Sequence, residues 1–185
     1  MTSKIVNFLL YQTGWFACVL GAAHGRPWSG AGVALALIGI HLALVRRPGP
    51  EAVLVALAGG LGWVLDTAQV QLGLMVFSSG NLVEGLAPLW LVVLWMQFAT
   101  LLRYGLDWMS GRYVLASALG AVGGPLAFAS GARIGAVALH PKLYPSLLSL
   151  GVVWAIAMPA LLWISDHLGP REGRGEYRVF SRPNG

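Results

Sequence analysis

Between Ala52 and Phe77 the chain reads AVLVALAGGLGWVLDTAQVQLGLMVF, a stretch of membrane-crossing length broken by one full charge, Asp66. About 20 apolar residues in helical form span the hydrocarbon layer. A carboxylate at the centre of such a helix costs about 2.5–3.5 kcal/mol on insertion scales. Gly59, Gly62, Asp66, Gln69 and Gly73 recur at steps of three and four, so a helix puts them on one face. That small, polar face has to look at protein or water rather than at lipid. A chain built around this stretch is a membrane protein of several helices, and it needs an answer to Asp66. Arg133 is the best match by charge and depth.

Five more apolar runs of spanning length follow from the same reading. Only 10% of residues are charged, against roughly 25% in a soluble domain. The fold class expected is all-α, a polytopic membrane helix bundle with six transmembrane helices. The spans fall at about 5–23, 28–45, 52–77, 86–104, 114–139 and 146–165, within a domain of residues 1–167. Residues 168–185 read as a flexible cytoplasmic tail. The first run resembles a secretory signal only superficially: it is long, carries Asn7 and Gln12, and is followed by further spans. Arg46 to Pro50 read as the basic turn that stops the second span.

The net charge of +5 does not point to nucleic acid, because the basic residues sit in short turns and the tail. Lys4, Arg46, Arg47, Arg103, Arg112, Arg171, Arg174, Arg178 and Arg182 fall on one side, Arg26 and Lys142 on the other. This asymmetry places both termini on the cytoplasmic side of the membrane. Trp28, Trp90 and Tyr144 then sit near the outer interface, and Trp108, Tyr113 and Trp163 near the inner one.

Within the membrane, Gly120 with Gly124 and Gly131 with Gly135 are small-xxx-small pairs that let backbones approach. Pro125 should kink or open the fifth helix. The third and fifth helices, both with glycine faces at matching depth, are expected to touch. Asp66, Gln69, Gln97 and Arg133 are then candidates for a polar chamber, with His24, Glu84 and His140 at its rim. The structural alternative is that Asp66 and Arg133 merely brace the bundle, or that Arg133 snorkels alone to the headgroups. Trp63, Trp95 and Trp154 fall near the midplane, as core packing or as an aromatic wall for an acyl chain. On the fourth span Trp90, Val93, Gln97, Thr100 and Tyr104 share an inward stripe, and on the first Asn7, Gly14, Cys18 and Gly21 share another.

No GxSxG, HExxH or GxxxxGK[ST] motif occurs. Cys18 stands alone, which excludes an internal disulfide and a multi-cysteine metal site, and the four histidines lack ligand spacing. No metal and no cofactor are expected. The segments at residues 7–25 (NFLLYQTGWFACVLGAAHG), 87–108 (APLWLVVLWMQFATLLRYGLDW) and 120–137 (GAVGGPLAFASGARIGAV), with the Asp-bearing span, resemble domain-of-unknown-function family 2878. The resemblance covers nearly the whole chain up to about Asp166. It implies a small multispanning bacterial inner-membrane protein with no established activity, so no catalytic residue carries over. Family members are often encoded beside lipid-modifying enzymes. The expected function is a non-catalytic accessory module of envelope lipid metabolism that binds membrane lipid or a lipid-modifying enzyme. A membrane enzyme using Asp66 and Arg133 is the first alternative, and a small transporter the second.

Overall fold

The computed structural model describes residues 1–169 and 175–180. The chain is all-α: six helices, five of them long and apolar enough to cross a membrane. They are α1 (Thr2–Ala23), α2 (Pro27–Leu44), α3 (Pro48–Gln71), α4 (Leu89–Leu102), α5 (Tyr113–Ile134) and α6 (Tyr144–His167). The prolines at the heads of α2, α3 and α6 fit the first turn, where the missing N–H would have no partner anyway. For that reason Pro48 and Pro50 open α3 instead of forming the turn expected there. The turn is only Val45 to Arg47.

Two stretches expected to extend spanning helices leave them early. After α3, Gly73 takes φ +68°, and after α5, Gly135 takes φ +97°. Both are left-handed conformations that glycine adopts without penalty and that end helices. The freed residues form a small antiparallel pair, β1 (Met75–Val76) with β2 (Ala138–Leu139). Leu74 O accepts from His140 N at 3.1 Å and from Ser146 Oγ at 2.5 Å, which fastens this clasp to the head of α6. Pro125 does not interrupt α5, which runs through it to Ile134.

α4 lies at the centre, packed on α1, α2 and α3. It is the shortest of the six: its 14 residues make about 21 Å at about 1.5 Å each, short of the roughly 30 Å hydrocarbon layer. Its approach is held to α3, where Ala87 N donates to Thr67 Oγ1 at 3.1 Å and Ala87 O accepts from Trp63 Nε1 at 3.2 Å. The expected inward stripe of α4 is buried throughout, from Trp90 to Tyr104. Trp90 therefore belongs to the core, its indole donating to Ser79 O at 3.2 Å, and not to an interfacial belt. Trp28, Trp108, Tyr144 and Trp163 are exposed.

α5 and α6 form a hairpin that docks mainly through α6 on α3 and α4. Asp166 ties its far end down, accepting from Ser110 Oγ at 2.6 Å, Gly111 N at 3.0 Å and Tyr113 Oη at 3.0 Å. The expected contact of α3 with α5 through their glycine faces is corrected here. A Cβ at Gly62 would lie 2.0 Å from Trp95, and one at Gly124 would lie 2.2 Å from Trp154. The two indoles stack at 4.4 Å and 12°. Each glycine face is indeed at matching depth, but Gly62, Trp95, Trp154 and Gly124 make one layered pile with two rings between the helices.

The segment read as a flexible tail is partly built into the bundle. Of it, residues 170–174 and 181–185, with Arg171, Arg174 and Arg182, lie outside the described residues. Tyr177 is 0% exposed and packs with Val45 and Tyr104.

Candidate functional site

Asp66 is wholly buried, and its Oδ2 accepts from Trp95 Nε1 at 2.6 Å. Its Oδ1 has no partner among the described residues, and neither amide atom of the buried Gln69 has one. Arg133 does not answer it. Arg133 stands in the last turn of α5 and is exposed, and no ion pair joins it to Asp66 among the described residues. A last-turn arginine beside a helix stop can put its head outside the bundle, which is the snorkelling arrangement.

The remaining members of the expected chamber scatter for a geometric reason. Residues 95 and 97 point to different sides of α4. Trp95 faces Asp66 on α3, whereas Gln97 faces α1, its Nε2 donating to Leu10 O at 2.9 Å and its chain lying against Gly14. His24 and Glu84 are exposed, His24 with Nδ1 2.8 Å from Leu20 O. His140 is half-buried and accepts from Lys142 N at 3.2 Å. The structure unites Asp66 and Gln69 on one helix face and does not bring the other five to them.

On the other side of Trp95 lies a cavity of about 60 Å³ between α1, α4, α5 and α6. Tyr11, Trp15, Trp95, Phe98, Phe128 and Trp154 are among the residues of its wall, and no charged residue lines it. Phe98 and Trp154 meet edge to face at 5.2 Å, a favoured arrangement of ring quadrupoles. Of the three midplane tryptophans, Trp95 and Trp154 form this wall. Trp63 sits apart, bonded to Ala87.

A second constellation was not assembled from the sequence. Its side chains are Asn7, His41, Glu51, Arg103 and Tyr177, between 0% and 5% exposed. His41 Nε2 lies 3.0 Å from Glu51 Oε1, and Glu51 Oε2 lies 3.8 Å from Arg103 Nη1. Arg103 Nη2 also donates to Ser165 O at 3.1 Å. His41 Nδ1 lies 2.8 Å from Tyr177 Oη, and Asn7 Nδ2 donates to Tyr177 Oη at 3.1 Å and to Thr100 O at 3.0 Å. Arg103, counted among the loop cations, is therefore an internal group. Two signals stood in the sequence: Asn7 heads the inward stripe of α1, and His41 and Glu51 flank one tight turn. Nothing in the polar run around Tyr177 marks it as a core residue.

Among the described residues no group of three or more His, Cys, Asp or Glu could hold a metal ion. Comparison with curated proteins gives no match, and neither does comparison with solved structures. The profile of the family described as "Protein of unknown function (DUF2878)" matches residues 4–160, and the chain belongs to that family.

Proposed function

We propose that this membrane protein is a non-catalytic lipid-binding module of the bacterial inner membrane, which holds the end of one lipid chain in its aromatic cavity. The observation that carries the reading is the lining itself. The wall is aromatic and aliphatic and carries no charge, which suits binding of an apolar chain. About 60 Å³ is well below the roughly 150 Å³ that takes up a benzene ring, so a chain terminus fits better than a ring system. The partner that would use such a module is a lipid-modifying enzyme in the same membrane. An enzyme working through Asp66 and Arg133 has less support, because one group is buried behind Trp95 and the other is exposed.

Gly131 lines the cavity, and the nearest atom to a Cβ there is 3.8 Å away. Gly131→Leu should place side-chain carbons in the space, since its Cβ meets nothing closer than 3.8 Å. A phospholipid with a diazirine at its acyl terminus should cross-link to Trp15, Phe98 or Phe128 in wild type. In Gly131→Leu that labelling should fall about fivefold or more, by the loss of a few methylene contacts at about 0.8 kcal/mol each. Labelling confined to lipid-facing residues, or unchanged in the variant, would refute the reading.

A further inference from the structure

At the end of the bundle that carries the N-terminus, five residues with polar heads are buried where helix packing does not require them. Removing ions from water costs several kcal/mol each, so an apolar set would hold helices as well or better. Their arrangement is specific. Glu51 takes the Nε2–H of His41, which leaves Nδ1 as an acceptor. The Tyr177 hydroxyl therefore donates to His41 Nδ1 at 2.8 Å while accepting from Asn7 Nδ2 at 3.1 Å. Burial, with a smaller contribution from Glu51, pushes this hydroxyl up to about 12, so it stays an O–H donor at neutral pH. The ring lies on Tyr104 at 4.8 Å and 27°.

The group filling this place comes from a short irregular segment and not from a helix. Gly175 N donates to Arg103 O at 2.9 Å, Tyr177 N donates to Ser3 Oγ at 3.1 Å, and Arg178 donates to Ala43 O. Beyond Tyr177 the segment turns away, with Val179 64% and Phe180 47% exposed. Among residues 175–180, Tyr177 is the one side chain fully buried in the bundle, beside a backbone held at Gly175 N and Tyr177 N. Segments with few buried contacts open at a fraction of the global unfolding free energy.

We propose that Asn7, His41 and Glu51 form a second binding site, one that recognises a hydroxyl on a flat ring and that Tyr177 closes as a removable plug. A hydroxyl both gives and takes a hydrogen bond, and the site presents one acceptor, His41 Nδ1, beside one donor, Asn7 Nδ2. Glu51 fixes the tautomer of His41, and the face of Tyr104 receives the ring. A phenolic ligand competes with Tyr177 for this place. This site shares no residue with the aromatic cavity and does not depend on the lipid reading.

The full chain in detergent micelles allows a test with p-cresol, which has the side chain of tyrosine, and with toluene, which lacks the hydroxyl. In wild type the Tyr177 amide should exchange its hydrogen about 100-fold faster than the amides around Asn7 and His41, as expected of a locally opening segment. p-Cresol should speed that exchange and toluene should not. In Tyr177→Gly, site-resolved mass spectrometry should show His41 open to diethyl pyrocarbonate. p-Cresol at about ten times its dissociation constant should slow this reaction about tenfold. A Tyr177 amide that exchanges together with the helix core would overturn the proposal, as would p-cresol acting no differently from toluene. If Tyr177→Gly fails to fold, the exchange experiment on wild type decides alone.

Discussion

Glu51 is the residue on which the buried polar end depends, since it faces both His41 and Arg103. Glu51→Gln keeps the shape and removes the charge that faces both His41 Nε2 and Arg103 Nη1. Breaking a buried ion pair in this way costs about 3–5 kcal/mol. Denaturant unfolding in micelles should read that loss, and a change below about 1 kcal/mol would contradict the ion pair. Alkaline titration tests the tyrosines beside it. An unperturbed tyrosine ionises near pH 10. Tyr177 is raised to about 12, first by burial, and Tyr104 is raised as well, by burial and then by Glu51. A hydroxyl raised in the folded state adds stability that is whole below about pH 10 and is lost as pH climbs through about 12. Tyrosinate absorbance should show a late step that Tyr177→Phe reduces, and a single step near pH 10 would mean that Tyr177 is exposed. At this scale the sequence told which side chains point inward but not what they meet. The period of a helix fixes a residue's face and leaves the facing residue open. Asp66 was legible as buried. That its partner would be an indole and not Arg133 depended on where α4 crosses, which no spacing within α3 encodes.

Among the elements, the glycines divide into those that receive a ring and those that face open space. Gly60 and Gly62 are near neighbours on α3, yet a Cβ on Gly60 meets nothing within 4 Å, whereas one on Gly62 enters Trp95. Gly62→Ala should cost about 1–3 kcal/mol through overpacking. Gly60→Ala should be neutral or stabilising by up to about 1 kcal/mol, because alanine restores helix propensity. Thermal unfolding of the two variants side by side checks the pile, and equal effects would refute it. Helix number and class were plain from the apolar runs. The helix ends were less so, because Leu74 to Phe77 and Ala136 to Leu139 are as apolar as the spans they follow. Only Gly73 and Gly135 mark the stops, and both had been read as parts of a helical face. The shortness of α4 was hidden for the same reason: Leu86 and Ala87 continue its composition while Pro88 stands in extended backbone.

The whole molecule has two bodies of helix, α1–α4 and the α5–α6 hairpin, joined by the ring pile within and by the clasp at one end. The N-terminus and the Tyr177 segment lie at the other end. With the basic bias of the turns, this end should be cytoplasmic. A reporter active only outside the cytoplasm should be silent when fused after Gly185 and active when placed within Ser78–Gly85. The opposite pattern would invert the topology. The Tyr177 anchorage carries a further consequence for how the protein is made. The hydroxyl that seals His41 arrives 136 residues after it along the chain, and Asn7 waits for a partner 170 residues away. While the ribosome is still working, the first helices hold an uncovered histidine–carboxylate pair at their base. The enclosure is complete only once Tyr177 has been made, so a product that stops before it leaves that pair uncovered.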